Sequence, residues 1–261
     1  RNLHGRGRCG NLGIVENMVK VILPDGRSRC YSHPVSPTDV ANDVDRAMAS
    51  KLIAAEADGQ IIGTDTPLPQ EGCVHLRLLT AGDPKALEVM RHSCAHVMAR
   101  AVMRLFEGAQ LAFGPTIDNG FYYDFDLPQP ISEADFPRIE AEMARIIADD
   151  EPFERVEMPR GEAIELCRDL GQLLKVEHLE EGLAEEQTVS FYRQGEFIDL
   201  CRGPHVPSAR AIGAFKLLSV AGAYFKGDSS RQQLQRLYGT AWFTQQELED
   251  YLRRLEEAKR R

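Results

Sequence analysis

Residues 85–108, KALEVMRHSCAHVMARAVMRLFEG, divide the chain in two and indicate a long helix. Seven apolar side chains recur along it at helical spacing and form one stripe: Leu87, Met90, Cys94, Val97, Met98, Ala101 and Leu105. His92 and His96 are four residues apart, so a helix projects both from the same face. Cys94 lies on the other side and belongs to the apolar stripe. The sequence therefore predicts a partly buried helix that presents a pair of histidines.

Upstream of this helix, residues 18–80 predict a small β-grasp domain. Residues 18–33 contain two β-rich runs around a Pro-Asp-Gly turn and predict a hairpin. Residues 36–50 predict a helix, because a proline stands in the first turn and apolar residues follow at helical spacing. Residues 52–63 predict two short strands around Asp-Gly, and residues 74–80 a last strand. The order ββαβββ is that of a ubiquitin-like module.

Downstream, residues 84–243 predict a larger α+β domain, separated from the first by Ala-Gly-Asp-Pro at 81–84. Its segments are a predicted helix at 132–150, a predicted helix and turn at 159–181, and predicted strands within 113–128, 188–201, 215–227 and 234–243. Residues 244–261 carry a capping box from Thr244 to Glu247 and few apolar side chains, which predicts a charged connecting helix. The expected fold class is α+β.

Composition restricts the class of protein. The chain has 261 residues, of which 43% are hydrophobic and 27% charged, and this balance is typical of a globular protein with two domains. No apolar run is long enough for a membrane span. A net charge of −9 means that any contact with RNA must use a local basic patch. The six scattered cysteines predict free thiols and a reducing, cytoplasmic setting.

Residues 1–17 differ from the rest of the chain. They are rich in glycine and arginine, lack hydrophobic periodicity and precede Met18. No apolar core of a signal peptide is present in them. We expect a disordered leader or a tag, with the natural start at Met18. A basic RNA-binding tail is the alternative.

A second stretch, residues 197–205, turns the histidine pair into a candidate site. It predicts a strand that runs into a Gly-Pro loop and supplies Asp199, Cys201 and His205. Two histidines from a helix, with a cysteine and a histidine from a loop, are the donor set of a tetrahedral zinc site. The same residues also suit an acid–base cluster. Metalloprotease chemistry is disfavoured, because the H-E-x-x-H motif needs glutamate where Ser93 stands.

Five stretches together identify a family resemblance: residues 91–102, 114–126, 197–208, 215–229 and 234–243. They resemble the amino-terminal region of bacterial-type threonyl-tRNA synthetases, in which a TGS domain is followed by a domain that deacylates mischarged Ser-tRNA(Thr). The resemblance covers residues 18–261. It implies that 18–80 is the TGS domain, 84–243 the editing domain, and 244–261 a linker helix to a catalytic domain that this chain lacks.

The resemblance also implies roles for single residues. His92, His96, Lys175, Asp199 and His205 are the expected catalytic residues, and Tyr123, Cys201 and Arg202 are expected to bind substrate. We expect Asp199 to hold the substrate ammonium and Tyr123 to line the pocket. No metal is expected to be required, although the alanyl-tRNA synthetase relatives use zinc; if zinc binds, its ligands are His92, His96, Cys201 and His205. His178 is expected to be structural.

Partners and cofactors follow from the same resemblance. The tRNA(Thr) acceptor end is the expected partner, with Arg202, Lys226 and Arg231 as candidates for phosphate contacts. ATP and zinc are expected only in the absent catalytic domain, through which the parent enzyme would form a homodimer in the cytoplasm. Two alternatives stay open: a non-catalytic RNA-binding or regulatory TGS module, and a free-standing trans-editing hydrolase.

Overall fold

The computed structural model describes residues 18–260, so the predictions for residues 1–17 lie outside it. The described residues divide into two compact units between Ala86 and Leu87. The chain contains both helices and strands, which confirms the predicted α+β class. Of the helices within residues 18–260, none combines the length and the apolarity that a membrane crossing requires.

The first unit is a five-stranded sheet with two short helices. Its elements are β1 (Val19–Ile22), β2 (Ser28–Tyr31), α1 (Pro37–Val44), α2 (Arg46–Ala49), β3 (Leu52–Ala57), β4 (Gln60–Ile62) and β5 (Gly72–Thr80). The strand order is β2-β1-β5-β3-β4, with β1 parallel to β5. The predicted ββαβββ order is thus confirmed, except that two helices stand where one was expected.

Asp45 is the reason for the break between these helices. Its backbone is extended, at φ −160° and ψ 103°, and its carboxylate accepts hydrogen bonds from the amides of Ala47 and Met48. Aspartate caps a helix N-terminus more favourably than it fills a helix interior. The prediction of one continuous helix over residues 36–50 is therefore wrong at this position.

The second unit is built around one long helix. Its elements are α3 (Pro84–Leu105, which begins at the junction), β6 (Gln110–Leu111), β7 (Thr116–Ile117), β8 (Gly120–Asp126), α4 (Phe136–Asp149), β9 (Glu154–Pro159), α5 (Arg160–Asp169), α6 (Leu173–Glu177), β10 (Thr188–Gln194), β11 (Phe197–Leu200), β12 (Ala214–Tyr224), β13 (Gln233–Trp242) and α7 (Gln245–Lys259). Two sheets, β11-β10-β9 and β12-β13-β8-β6, with β7 paired to β8, make up its β structure.

Two predicted segments differ from the structure in this unit. Residues 159–181 form two helices, α5 and α6, followed by a π-helical turn at His178–Gly182, instead of one helix and a turn. Strand β9 was not expected at all, and it pairs antiparallel with β10. The capping box from Thr244 to Glu247 is present at the start of α7, as predicted.

Helix α3 is buried on all sides through its middle. Nearly every residue between Val89 and Val102 is buried, and the helix carries a buried arginine, Arg100. The Arg100 guanidinium is paired with Glu151 at 2.5 Å and with Glu196. A buried cation is tolerated only when it is paired in this way. The helix that holds the histidines is thus fixed by packing and by ion pairs.

Glu196 allows a test of this ion-pair network. Hydrogen bonds from Arg100 and Arg104 outweigh burial and hold the Glu196 pKa down to about 2. Stability from such a carboxylate is present above its unfolded pKa, about 4.3, and is lost as pH falls toward 2. We expect Glu196→Gln to lower the unfolding free energy at pH 7 by about 0.2–1 kcal/mol, because the exposed part of the carboxylate is screened. Urea denaturation at pH 7 and pH 3 measures it; an equal difference at both values would contradict the assignment.

The cysteines do not form one class. Cys73, Cys94, Cys167 and Cys201 are free, as expected. Cys30 is disulfide-bonded, so the expectation of a free thiol is wrong at that residue. Cys9 lies outside the described residues.

Candidate functional site

The histidine pair of α3 and the loop after β11 meet in one cluster. The Nε2 atom of His92 lies 3.0 Å from the Cys201 Sγ, and the Nε2 atom of His205 lies 3.5 Å from the same sulfur. The rings of His92 and His205 stack with centroids 4.4 Å apart, and the ring of His96 meets His205 edge-on at 4.2 Å. The fold thus brings together side chains that are more than a hundred residues apart in the sequence.

A second group of polar residues lies beside the histidines. The Lys175 ammonium is 2.8 Å from Asp199 Oδ1, and the Tyr123 hydroxyl donates a hydrogen bond to Asp199 Oδ2. Lys175 also donates to the Tyr123 hydroxyl at 3.3 Å. His96 Nε2 is 3.7 Å from Asp199 Oδ2 and connects the two groups. Lysine, aspartate and tyrosine thus form a closed, buried triad against the histidine cluster.

Burial separates these residues into a hidden set and a reachable set. Lys175 is only 4% exposed and Asp199 3%, although the sequence offers no sign that a lysine in α6 is buried. Tyr123, His96 and His205 are equally enclosed. His92 and Cys201 are partly accessible. Solvent therefore reaches the cluster at His92 and Cys201.

Burial also sets the protonation states. It lowers the pKa of His92, although the Gly114 carbonyl and Asp199 act to raise it. It also lowers the pKa of His96 to about 3. The pKa of His205 falls for the same reason. Burial opposes ionisation of Asp199, but Lys175, His96 and Tyr123 outweigh it and keep the pKa of Asp199 low. At neutral pH the cluster is three neutral imidazoles beside a lysine–carboxylate ion pair.

Asp199 is occupied in a way that the sequence did not indicate. Both of its carboxylate oxygens face partners from the protein, Lys175 and Tyr123. That arrangement favours holding the lysine over the expected role of binding the substrate ammonium. Tyr123 reaches the site through its hydroxyl. Its ring packs so closely on the backbone of Gly114 that a Cβ added to this glycine would lie 2.1 Å from the ring.

The loop 201–205 is shaped by a close approach. Gly203 has φ +72°, and a Cβ there would lie 2.3 Å from the Tyr192 hydroxyl, so only glycine fits without movement. The Gly203 amide donates to Cys201 Sγ at 3.2 Å. This contact, with Ser190 donating to the Cys201 carbonyl at 2.7 Å, holds the sulfur against the histidines.

The three basic candidates for phosphate contacts differ in their surroundings. Arg202 is highly exposed, and its ion pair with Glu186 is long, at 3.7 Å. Lys226 and Arg231 instead pair with Glu177 and Glu181, on the segment that follows Lys175. Arg202 is the one of these three whose charge is least neutralised.

The donor set could hold a metal ion. His92, His96, Cys201 and His205 each offer one ligand atom, and these atoms lie within 4.8 Å of one another. His96 Nδ1 is buried and has no hydrogen-bond partner among the described residues. Three imidazoles and a thiol match the nitrogen and sulfur preference of zinc. The residues therefore fit a zinc ion chemically.

Several residues around the site escaped the sequence analysis. Ser93 served in the sequence only to exclude the H-E-x-x-H motif, yet its Oγ lies 2.9 Å from His205 Nδ1. Gln172 is buried and pairs with the backbone of Ala109 and Leu111, which anchors the start of α6. Phe113 packs edge-on against His178, which was expected to be structural, at 4.8 Å, and the Phe113 ring centre lies 5.8 Å from the Lys175 ammonium. No periodicity or motif distinguishes these residues in one sequence.

Comparison with known proteins matches both units. The family model described as the TGS domain matches residues 19–77, and the model described as the threonyl and alanyl tRNA synthetase second additional domain matches residues 189–238. The threonine–tRNA ligase of Rhodopirellula baltica is 58% identical over 93% of this chain and 33% of its own length. Those of Ruthia magnifica and Clostridioides difficile are 46% and 44% identical over 94% of this chain and 38% of theirs.

These matches confirm the resemblance to the amino-terminal region of threonyl-tRNA synthetases. The chain spans roughly a third of the length of the curated relatives that it matches. The second additional domain is the editing domain of such enzymes, and its matched range includes Asp199, Cys201 and His205.

Proposed function

Because this chain belongs to the threonine–tRNA ligase family, we propose that its second unit hydrolyses the ester of mischarged Ser-tRNA(Thr). The observation that carries the proposal is the buried Lys175–Asp199–Tyr123 triad against three histidines and Cys201. A charging pocket separates threonine from serine by one methyl group, which supplies only about 1–3 kcal/mol. A second, hydrolytic site supplies the discrimination that the charging pocket lacks.

His92 is the proton acceptor in this proposal. It is neutral at pH 7, and it is the histidine of the cluster that solvent reaches. A water molecule gives a proton to His92 Nε2 as its oxygen attacks the ester carbonyl. The new carbon–oxygen bond gives a tetrahedral intermediate; the bond to the ribose oxygen then breaks, and that oxygen takes the proton. The products are serine and uncharged tRNA.

Lys175 supplies positive charge next to the reaction. Its ammonium is held at 2.8 Å by Asp199 and is shielded from water, so its field acts with little screening. Asp199 and Tyr123 fix it in place. His96 lies 3.7 Å from Asp199 and completes the connection between the triad and the histidines. The triad therefore stabilises the oxyanion electrostatically.

Arg202 is our candidate for the contact with the tRNA acceptor end. It follows Cys201 directly, and its guanidinium is exposed and weakly paired. A phosphate contact there would fix the register of the 3′ end over His92 without reading its sequence. Lys226 and Arg231 contribute only after a phosphate displaces Glu177 and Glu181.

For the whole protein we propose the ligation of threonine to tRNA(Thr), the activity that names the relatives. ATP and zinc would serve that reaction, and we propose a homodimer in the cytoplasm, as the family resemblance implies. The TGS and editing units, divided as 18–80 and 84–243 with the helix of 244–261 as a linker, would accompany the ligation reaction.

Selectivity tests the proposed substrate. The γ-methyl of threonine needs space beside the ester at His92 and Cys201, whose Nε2 and Sγ atoms are 3.0 Å apart, and the Tyr123 ring closes the space behind Gly114. A displacement of about 1 Å lowers a rate on the order of 10²-fold. We expect Ser-tRNA(Thr) to be deacylated about 10²-fold faster than Thr-tRNA(Thr), measured on the same tRNA with the protein-free rates subtracted. Equal rates would rule out serine editing.

The requirement for metal is tested separately. A zinc ion held by the four donors would supply a Lewis acid for water. We expect deacylation to persist after the protein is dialysed against a chelator, because a neutral His92 accepts the proton without an ion. The measurement pairs the deacylation rate with the metal content before and after dialysis. Loss of activity that added zinc restores would show instead that the cluster works as a metal site.

A further inference from the structure

Ser93 is fully buried and uses its hydroxyl hydrogen within its own helix. Its Oγ donates to the carbonyl of Val89, one turn earlier, at 3.0 Å. The same oxygen lies 3.0 Å from the amide nitrogen of Val206 and 2.9 Å from Nδ1 of His205. Since a hydroxyl has one hydrogen and two acceptor sites, the oxygen accepts in both of these contacts.

This geometry favours one tautomer of His205. If the Ser93 oxygen accepts, Nδ1 of His205 must carry the hydrogen, and Nε2 of the neutral ring must carry a lone pair. That lone pair faces Cys201 Sγ at 3.5 Å. Phe153, stacked at 4.8 Å, and Tyr192, edge-on at 4.5 Å, also pack against the ring without binding Nδ1.

We propose that Ser93 is a positioning residue that sets the tautomer of His205 and ties its loop to α3. One oxygen serves both purposes, because it also accepts from the amide of the next residue, Val206. The inference rests on the proposed function only for its catalytic consequence. The tautomer itself is a property of the folded chain.

As a consequence, the side of the site that solvent reaches has more nitrogen lone pairs than hydrogens to share with them. Nε2 of His92, which the proposed function uses as the proton acceptor, must also carry a lone pair. Two acceptor nitrogens, of His92 and His205, thus face one sulfur that carries one hydrogen. At least one nitrogen is left to receive a hydrogen from the attacking water. Ser93 prevents His205 from filling that place with its own hydrogen.

The test is the tautomer, read by two-bond ¹⁵N–¹H correlation spectra of the histidine rings at pH 7 in the full chain. His205→Gln identifies the His205 signals by their loss. We expect the Nδ1–H form in the unsubstituted protein and a shift toward Nε2–H in Ser93→Ala. Ser93→Thr, which keeps a hydroxyl, should restore Nδ1–H. An Nε2–H form in the unsubstituted protein overturns the proposal, whatever the variants do.

Activity gives the second measurement. We expect Ser93→Ala to slow deacylation of Ser-tRNA(Thr) by roughly 10–100-fold, the usual effect of losing a group that orients a reacting side chain. Ser208→Ala is the matched control, because it removes a hydroxyl that bonds Asp150 and contacts no histidine. It should leave the tautomer unchanged. An unchanged tautomer in Ser93→Ala overturns the inference, whereas absent deacylation by the unsubstituted protein overturns only the proposed function.

Discussion

Replacing Lys175 with methionine is expected to lower the rate of Ser-tRNA(Thr) deacylation by about 10²–10³-fold, the range seen when one oxyanion-stabilising group is lost. The side chain keeps its length, but the charge held by Asp199 at 2.8 Å disappears. We expect His92→Ala, which removes the proton acceptor, to lower the rate on the order of 10²–10⁴-fold. Single-turnover rates at saturating protein measure the effect on the chemical step.

The matched control is Lys216→Met. Lys216 belongs to the same unit and forms an ion pair, with Glu140 at 2.9 Å, but it is exposed and was assigned no part in the site. Its replacement should leave the rate within about twofold, as is usual for surface changes away from a site. Rates near that of the unsubstituted protein in both Lys175→Met and His92→Ala would place the reacting groups elsewhere.

Replacing Asp199 with asparagine is expected to lower the unfolding free energy by about 3–5 kcal/mol, the range for removing one partner of a buried ion pair. The change leaves the Lys175 ammonium, which is 4% exposed, without a counter-charge. Urea denaturation at pH 7 measures it. Asp250→Asn, which alters an exposed ion pair on α7, is the control and should change the unfolding free energy by less than about 1 kcal/mol.

The double variant Lys175→Met, Asp199→Asn separates this effect from loss of packing. Removing both charges leaves no unpaired ion, so the double variant should be more stable than Asp199→Asn alone. The opposite outcome is a double variant that is less stable than Asp199→Asn by as much as Lys175→Met alone lowers the unfolding free energy. In that case the two residues do not interact as an ion pair. Both outcomes are read from the same denaturation curves.

The sequence predicted the parts of the fold that have strong local signals. The turns at Pro24-Asp25-Gly26 and Asp58-Gly59 and the proline in the first turn of a helix, Pro37, are chemical features that a sequence displays, and the elements around them stand as expected. Strand β9 was missed because three of the six residues of Glu154–Pro159 are charged, and its pairing with β10 comes from distant residues. Asp45 was missed because a cap inside a helical pattern looks like a polar position.

The candidate site shows the same limit. The spacing of His92 and His96 was enough to place them on one face, and helix α3 does so. Nothing local shows that Lys175 is buried or that Ser93 meets His205, because both facts depend on residues more than twenty positions away. The family resemblance supplied Lys175; the contact of Ser93 needed coordinates.

The burial of α3 has a consequence for how the site is lost. Backbone amides in a helix enclosed on all sides exchange with solvent only when most of the domain opens, whereas exposed loops and short helices open locally at lower free energy. His92 and His96 lie on that protected helix, while Cys201 and His205 lie on the loop after β11 and Lys175 on the five-residue helix α6. Hydrogen exchange should therefore be slowest around His96. In mild denaturant, the loop after β11 and the helix that carries Lys175 would open while His92 and His96 keep their positions on α3.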